Sequence, residues 1–73
     1  MDVLKKQERA DDYTIKLTKI EYAINGCNYE VAIIDRFGEI KWIDHRRTRR
    51  EADDSFRKAK RFLKGSGTVG MEN

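Results

Sequence analysis

Four arginines within five residues form the group in this chain that is best suited to bind a charged ligand. They are Arg46, Arg47, Arg49 and Arg50. Thr48 followed three residues later by Glu51 is typical of a capping box, which predicts that the cluster lies where a strand turns into a helix. A helix N-terminus offers free N–H groups and a positive dipole end to phosphate. Arginine adds bidentate hydrogen bonds to phosphate oxygens or guanine edges. We therefore expect these arginines to contact phosphates.

Further cations on the predicted helix would extend that contact: Arg57, Arg61 and Lys64. Residues 1–45 contain seven Lys/Arg against nine Asp/Glu, whereas residues 46–73 contain nine against four. Such localised positive charge favours binding to nucleic acid, because each neutralised phosphate releases counterions. A basic helix face that meets only solvent is the alternative. It explains the later cations easily but the four arginines less well, since like charges repel. The sequence does not choose between DNA and RNA.

Groups suited to catalysis or metal binding are sparse. Cys27 and His45 are the only cysteine and histidine, and neither has a further ligand or base at a suitable spacing. His45 could instead touch phosphate beside Arg46. We expect a non-catalytic protein without metal or cofactor. One cysteine allows no internal disulfide, and with no apolar leader near Met1 this favours the reducing cytoplasm. The longest uncharged apolar run, Val31 to Ile34, is far too short to span a membrane.

The elements that must position these residues fit one α+β domain. The pattern predicts a three-stranded antiparallel meander followed by one C-terminal helix packed on one face. The strands are expected at 13–24, 29–34 and 39–45. A change of apolar phase at Thr18-Lys19 indicates a β-bulge in the first strand. Asn25-Gly26 predicts the first turn, and Gly38 supplies the left-handed position of the second.

The C-terminal helix is predicted to begin at Thr48 and to end at a cap on Gly65. Its apolar residues follow spacings of four, three and four, which draws one stripe for packing on the sheet: Ala52, Phe56, Ala59 and Leu63. Residues 1–12 form a polar segment that could be a short helix. Residues 66–73 resemble a flexible tail, which leaves 13–65 as the folded domain.

Apolar residues are expected on both faces of the sheet. One face should hold Val31, Ile33, Ile40 and Trp42, and the opposite face Ala32, Ile34 and Ile43. One helix covers only one face, so the N-terminal segment or a partner must cover the other. That partner could be another protein or a second copy of this chain. The alternative function is therefore a protein-interaction module acting through the face around Trp42, although Trp42 could equally be a core residue.

Two nucleic-acid-binding families share this order of strands followed by a capped helix. One set of residues resembles the end of a plant-type AP2 domain: Trp42, Thr48, Glu51, Ala52, Phe56 and Ala59. AP2 domains read DNA with arginines on the exposed sheet face, where this chain holds Ile33, Asp35 and Ile40. Gly38 with Thr48 to Ala52 is similar to the double-stranded RNA-binding domain. That resemblance implies a phosphate-binding pair at Arg49 and Arg50, with Asp53 in place of a third basic residue.

A third resemblance points to a protein target. Asp12 to Leu17, the three-strand layout and the closing Phe62 to Gly65 resemble a small phage anti-CRISPR protein. That inhibitor is strongly acidic and mimics DNA, unlike this basic chain. The resemblance implies that a protein-interaction module could be a phage-encoded inhibitor of a host protein such as a CRISPR nuclease.

Overall fold

The computed structural model describes residues 2–21 and 26–65, with the side chains of residues 64 and 65 excepted. Four antiparallel strands form one sheet in the order β1-β2-β3-β4, and one helix, α1, follows them. The elements are β1 (Val3–Ala10), β2 (Tyr13–Lys19), β3 (Tyr29–Asp35), β4 (Ile40–Arg46) and α1 (Arg49–Gly65). The antiparallel sheet with a C-terminal helix confirms the predicted α+β class. Within the described residues, no helix is long and apolar enough to cross a membrane.

The sheet has four strands, so the prediction of three strands was wrong, and the short helix that residues 1–12 could have formed is replaced by a strand. The polar residues Val3–Ala10 form β1, an edge strand antiparallel to β2. Asp11 and Asp12 make the turn between them, and Asp11 takes a positive φ of 58°. Asp is one of the residues that tolerate this conformation. Alternate residues of β1 face α1, where ion pairs with the helix replace apolar packing.

The core lies between α1 and the central strands. Ile15 and Leu17 of β2 pair with Ile33 and Val31 of β3, and all four are buried. The predicted stripe of α1 packs on them: Ala52, Phe56, Ala59 and Leu63 are all buried. Burying one large aliphatic side chain stabilises the fold by about 1.5–3 kcal/mol, so this cluster is the main source of stability.

Both edge strands contain an extra residue, and neither lies where the bulge was predicted. The register of β2 with β3 is continuous through Thr18 and Lys19. The register shifts instead at Lys5 in β1, and in β4 between the pairs Ile33↔Trp42 and Ile34↔Ile40, which leaves Lys41 as the additional residue. A bulge changes the face on which the following side chains lie. Ile40 and Trp42 are therefore on opposite faces of the sheet.

The β3–β4 turn and the helix start follow their predicted chemistry, whereas the first predicted strand, 13–24, ends at Lys19, and Ile20 and Glu21 are not in a strand. Gly38 has a φ of 85° and donates its N–H to the Asp35 carbonyl oxygen at 3.0 Å. The Asp35 carboxylate accepts hydrogen bonds from the backbone of Phe37 and Glu39, both at 2.9 Å. The hydrogen bond from the Glu39 backbone is the main reason why the pKa of Asp35 lies below its usual value. Gly26 also has a positive φ.

At the helix start, Thr48 Oγ1 accepts a hydrogen bond from the Glu51 backbone N–H at 3.2 Å. This bond satisfies one of the first N–H groups of α1, as expected of an N-cap. Of the other segments predicted from sequence, Asn25 and the tail 66–73 lie outside the described residues.

Candidate nucleic-acid interface

The four clustered arginines surround the start of α1. Arg46 ends β4, Arg47 lies in the connection, and Arg49 and Arg50 begin the helix. All four are exposed. The structure therefore brings together the residues that the sequence placed at a strand-to-helix junction.

Two of these arginines are neutralised by neighbouring carboxylates. Arg46 Nε lies 2.7 Å from Asp44 Oδ2, and Arg49 Nε lies 3.2 Å from Asp53 Oδ1. Partial burial of Asp44 opposes its ionisation, but hydrogen bonds from Ser55 and Arg46 outweigh this and hold the pKa of Asp44 below its usual value. Desolvation of Asp53 is likewise outweighed by hydrogen bonds from Arg49 and Lys6, which lower its pKa. Both carboxylates are therefore ionised at neutral pH.

Arg47 and Arg50 are the two arginines of the cluster that have no ion pair with any residue in the described ranges. Arg47 lies against the β2–β3 loop. Its Nη1 atom is 3.1 Å from the position that a Cβ atom would occupy if Gly26 carried a side chain. Arg50 lies in the first turn of α1 and is exposed. No carboxylate among the described residues neutralises these two charges, which lie beside the positive dipole end of the helix.

The outer face of α1 extends this positive surface. At 3.6 residues per turn, Arg50, Arg57 and Arg61 fall within a sector of about 40° and span about 16 Å along the helix. Arg57 Nη2 lies 3.0 Å from Asp54 Oδ1, an exposed pair that exchanges at little cost. Arg61 has no ion pair with a described residue. The side chain of Lys64 lies outside the described residues.

The four residues predicted to bind a protein partner do not form one surface. Val31 and Ile33 are buried beneath α1, and Ile40 lies on the opposite face. Trp42 is 40% exposed on the helix side. The prediction that these four share an exposed face was wrong for two reasons: α1 covers the face that holds Val31 and Ile33, and the extra residue at Lys41 moves Ile40 to the other face.

The face of the sheet opposite α1 does contain the expected apolar residues. Ile34 pairs with Ile40 and Ala32 pairs with Ile43 on this face. Ala32 is buried among its neighbours, whereas Ile40 and Ile43 are 54% and 42% exposed. We call Ile34, Ile40 and Ile43 the open-face patch.

His45 and Cys27 do not join the arginine cluster. His45 Nε2 lies 3.3 Å from Glu30 Oε1 on the sheet face opposite α1, whereas Arg46 lies on the helix side. The idea that His45 touches phosphate beside Arg46 is therefore not supported by the geometry. Cys27 is half-buried in the β2–β3 loop. Among residues 2–21 and 26–65, no group of three His, Cys, Asp or Glu side chains could hold a metal ion.

The structure adds a groove that the sequence analysis missed. It lies between β4 and the second half of α1 and has a volume of about 620 Å³. Tyr13, Trp42 and Phe62 line it together with Lys41 and Lys58. The sequence did contain one signal for this groove. Phe62 lies just outside the apolar stripe of α1, so its ring had no predicted place in the core, and it follows Lys58 by four residues, which puts the two side chains next to each other on the helix.

Comparison with known protein families, curated proteins and solved structures finds no match for this chain. The residues of the candidate interface are therefore interpreted from their own geometry and charge.

Proposed function

We propose that this protein is a small non-catalytic nucleic-acid-binding protein that contacts the phosphate backbone through the start and outer face of α1. The observation that supports this most strongly is that Arg47 and Arg50 lie beside a helix N-terminus and have no ion pair within residues 2–21 and 26–65. Guanidinium groups without a carboxylate partner lose no internal ion pair when a phosphate binds. Arg46 and Arg49 would take part while still held in place by Asp44 and Asp53.

The arginines on the outer face of α1 would extend the contact with the phosphate backbone along the helix. Arg50, Arg57 and Arg61 point away from the core in one row, so that a phosphate backbone lying along α1 would pass each in turn. Base contacts are not required for this mode, and the binding would depend strongly on salt and weakly on sequence.

Titration against duplex DNA, duplex RNA and single strands at several salt concentrations tests this proposal. Replacing Arg47 and Arg50 together by Ala should weaken binding about equally for all sequences. The slope of log K against log salt should flatten by roughly 1.8 on duplex DNA, at about 0.9 for each lost phosphate contact. A loss confined to one base sequence would instead indicate that these arginines read base edges.

A matched control removes the same charge elsewhere. Arg9 in β1 and Arg36 in the β3–β4 turn lie at the opposite end of the sheet from the cluster, and their joint replacement by Ala also lowers the net charge by two. This control should leave the salt slope nearly unchanged. Equal effects of the two double variants, or no binding to any nucleic acid at low salt, would refute the proposed function.

A second candidate function is protein binding through the open-face patch, in the form of a phage-type inhibitor of a host protein such as a CRISPR nuclease. Exposure of Ile40 and Ile43 on the uncovered sheet face favours it, because clustered exposed apolar residues mark interaction surfaces. Cleavage assays with a Cas nuclease would compare the natural chain with Ile43→Asp. Inhibition that Ile43→Asp abolishes would support this candidate, and no inhibition by the natural chain would remove it for that nuclease.

A further inference from the structure

The groove between β4 and α1, called here the aromatic groove, combines ring surfaces with cations. Trp42 is 40% exposed and Phe62 is 63% exposed, and Tyr13, the first residue of β2, is half-buried. The volume of about 620 Å³ lies within the range of about 300–1,000 Å³ that is usual for small-molecule binding sites. Exposed aromatic rings at a groove provide stacking surfaces for another flat ring.

The cations of the groove lie at its rim. Lys41 Nζ is 2.9 Å from Glu39 Oε1 and 3.7 Å from Asp35 Oδ2, and Lys58 Nζ is 3.7 Å from Asp54 Oδ2. These pairs are solvent-exposed and therefore weak, so each ammonium group can turn to an incoming anion. Around the axis of α1, at 100° per residue, Lys58 lies between the row formed by Arg50, Arg57 and Arg61 and the groove residue Phe62, so it joins the groove to that row of cations.

The edge of β4 argues against one alternative occupant. An extended peptide could add to β4 as a fifth strand and place side chains in the groove. The extra residue at Lys41 interrupts the regular pairing geometry of this edge beside the groove. Bulges and lysines on edge strands oppose pairing with another strand. A second copy of this chain would bring the same cationic rim and a further net charge of +3.

We infer that the aromatic groove accepts an unpaired base of a nucleic acid strand whose phosphates run along the outer face of α1. The inference rests on the proposed function and adds a preference for single-stranded over duplex nucleic acid. Proteins that bind single strands combine a cationic track for the backbone with aromatic side chains on which bases stack. A base in a duplex is already stacked and paired, and it would have to leave the duplex to enter the groove.

Fluorescence of Trp42 tests the inference on the unaltered protein. Trp42 is the only tryptophan of the chain, so its emission reports on the groove alone. A single strand of about twelve nucleotides should quench this emission. An otherwise identical strand without bases should still bind through its phosphates, at least fivefold more weakly, and should leave the emission unchanged. A duplex of the same sequence should likewise bind more weakly than the intact single strand and should leave the emission of Trp42 unchanged.

Two exposed phenylalanines provide the matched variants. Phe62→Ala removes a ring from the groove, and Phe37→Ala removes a ring that is 80% exposed in the β3–β4 turn. Phe62→Ala should weaken binding of the intact strand about tenfold, the usual effect of losing one stacking contact, and should not change binding of the baseless strand. Phe37→Ala should change neither. Both side chains are exposed, so both variants should fold.

The outcomes separate this inference from the proposed function. Equal affinity for intact and baseless strands without quenching would overturn the inference while leaving phosphate binding in place. Absence of binding to either strand would overturn the proposed function itself. Quenching by an acidic peptide with alternate apolar residues, but not by the strand, would assign the groove to a protein. Concentration-dependent dimerisation in sedimentation, abolished by Phe62→Ala, would assign it to a second copy of the chain.

Discussion

The two sides of α1 meet the sheet in different ways. On the β1 flank, defined by Lys6, Glu8, Asp53 and Lys60, charged side chains cross from helix to strand. Lys6 Nζ lies 3.2 Å from Asp53 Oδ1, and Lys60 Nζ lies 2.9 Å from Glu8 Oε2. On the β4 flank, defined by Trp42, Asp44, Ser55 and Phe62, a hydrogen bond from Ser55 to Asp44 joins the helix to the strand beside the aromatic groove.

This difference separates a flank that closes the core from a flank that stays open. The β1 flank closes the core with flexible ion pairs, and Lys6 also covers the Phe56 ring at 4.6 Å. On the β4 flank the buried Ser55 is hydrogen-bonded to Asp44, and the large rings of Trp42 and Phe62 stay partly exposed. One flank therefore closes the core, and the other leaves a groove open to solvent.

The largest expected effect distinguishes two phenylalanines of the same helix. Phe56 is 2% exposed in the core, whereas Phe62 is 63% exposed on the β4 flank. Phe56→Ala should lower the free energy of unfolding by about 3–5 kcal/mol, through lost burial and the cavity left behind. Phe62→Ala should change it by at most about 0.5 kcal/mol. Urea denaturation measures both, and similar losses would show that the groove is part of the core.

The next effect concerns the one polar anchor of the β4 flank. Ser55 Oγ donates a hydrogen bond of 2.7 Å to Asp44 Oδ2. Ser55→Ala should cost about 2 kcal/mol at pH 7, because it removes a hydrogen bond to a partly buried carboxylate. With the pKa of Asp44 lowered by folding, this stabilisation is complete above the unfolded pKa of about 3.9 and is lost as the pH falls through the lower folded value.

Denaturation of the natural chain and of Ser55→Ala at pH 7 and at about pH 2.5 checks this prediction. The difference between the two proteins should shrink in acid. A difference that stays constant over this range would mean that the Asp44 carboxylate is not the group responsible.

A smaller effect is expected at the helix start, which belongs to neither flank. Thr48→Ala removes the oxygen that accepts the Glu51 N–H and should cost about 1 kcal/mol. Thr48→Ser keeps that oxygen and should restore most of the stability in thermal unfolding. If serine is as damaging as alanine, the methyl group of Thr48 and not its hydroxyl is what matters.

The smallest effect is expected on the β1 flank. The Lys60–Glu8 pair is about one third exposed on both sides, so a double-mutant cycle with Lys60→Ala and Glu8→Ala should give a coupling of about 0.2–1 kcal/mol. Raising the salt concentration from 0.05 to 0.5 M should reduce this coupling. A coupling well above this range would make the β1 flank a main source of stability and reverse the comparison.

The features that could be predicted from the sequence are those that depend on residues close together in the chain. The apolar spacing of Phe56 and its neighbours, the Thr48 cap and the Gly38 turn act within a few residues, and the structure confirms them. Strand β1 was missed because Lys6 and Glu8 face the helix as charges. Their partners, Asp53 and Lys60, are about fifty positions away in the chain, so no local pattern reveals the pairing.

The candidate site shows the same limit. The sequence placed the arginine cluster at the helix start, as the structure does. The sequence could not show which arginines form ion pairs. That depends on where the side chains of Asp44 and Asp53 point, which is set by the strand register and by the packing of the helix. The single extra residue at Lys41 also moved Ile40 to the opposite face from Trp42, since a shift of one position inverts the side-chain alternation of a strand.

The order of the strands has a consequence for synthesis on the ribosome. Each strand pairs with the one made just before it, so the sheet can assemble stepwise as the chain emerges. Helix α1, made after all four strands, is what covers Ile15, Leu17, Val31 and Ile33. Until α1 has formed and packed on the sheet, this aliphatic face is open to chaperones and to other chains.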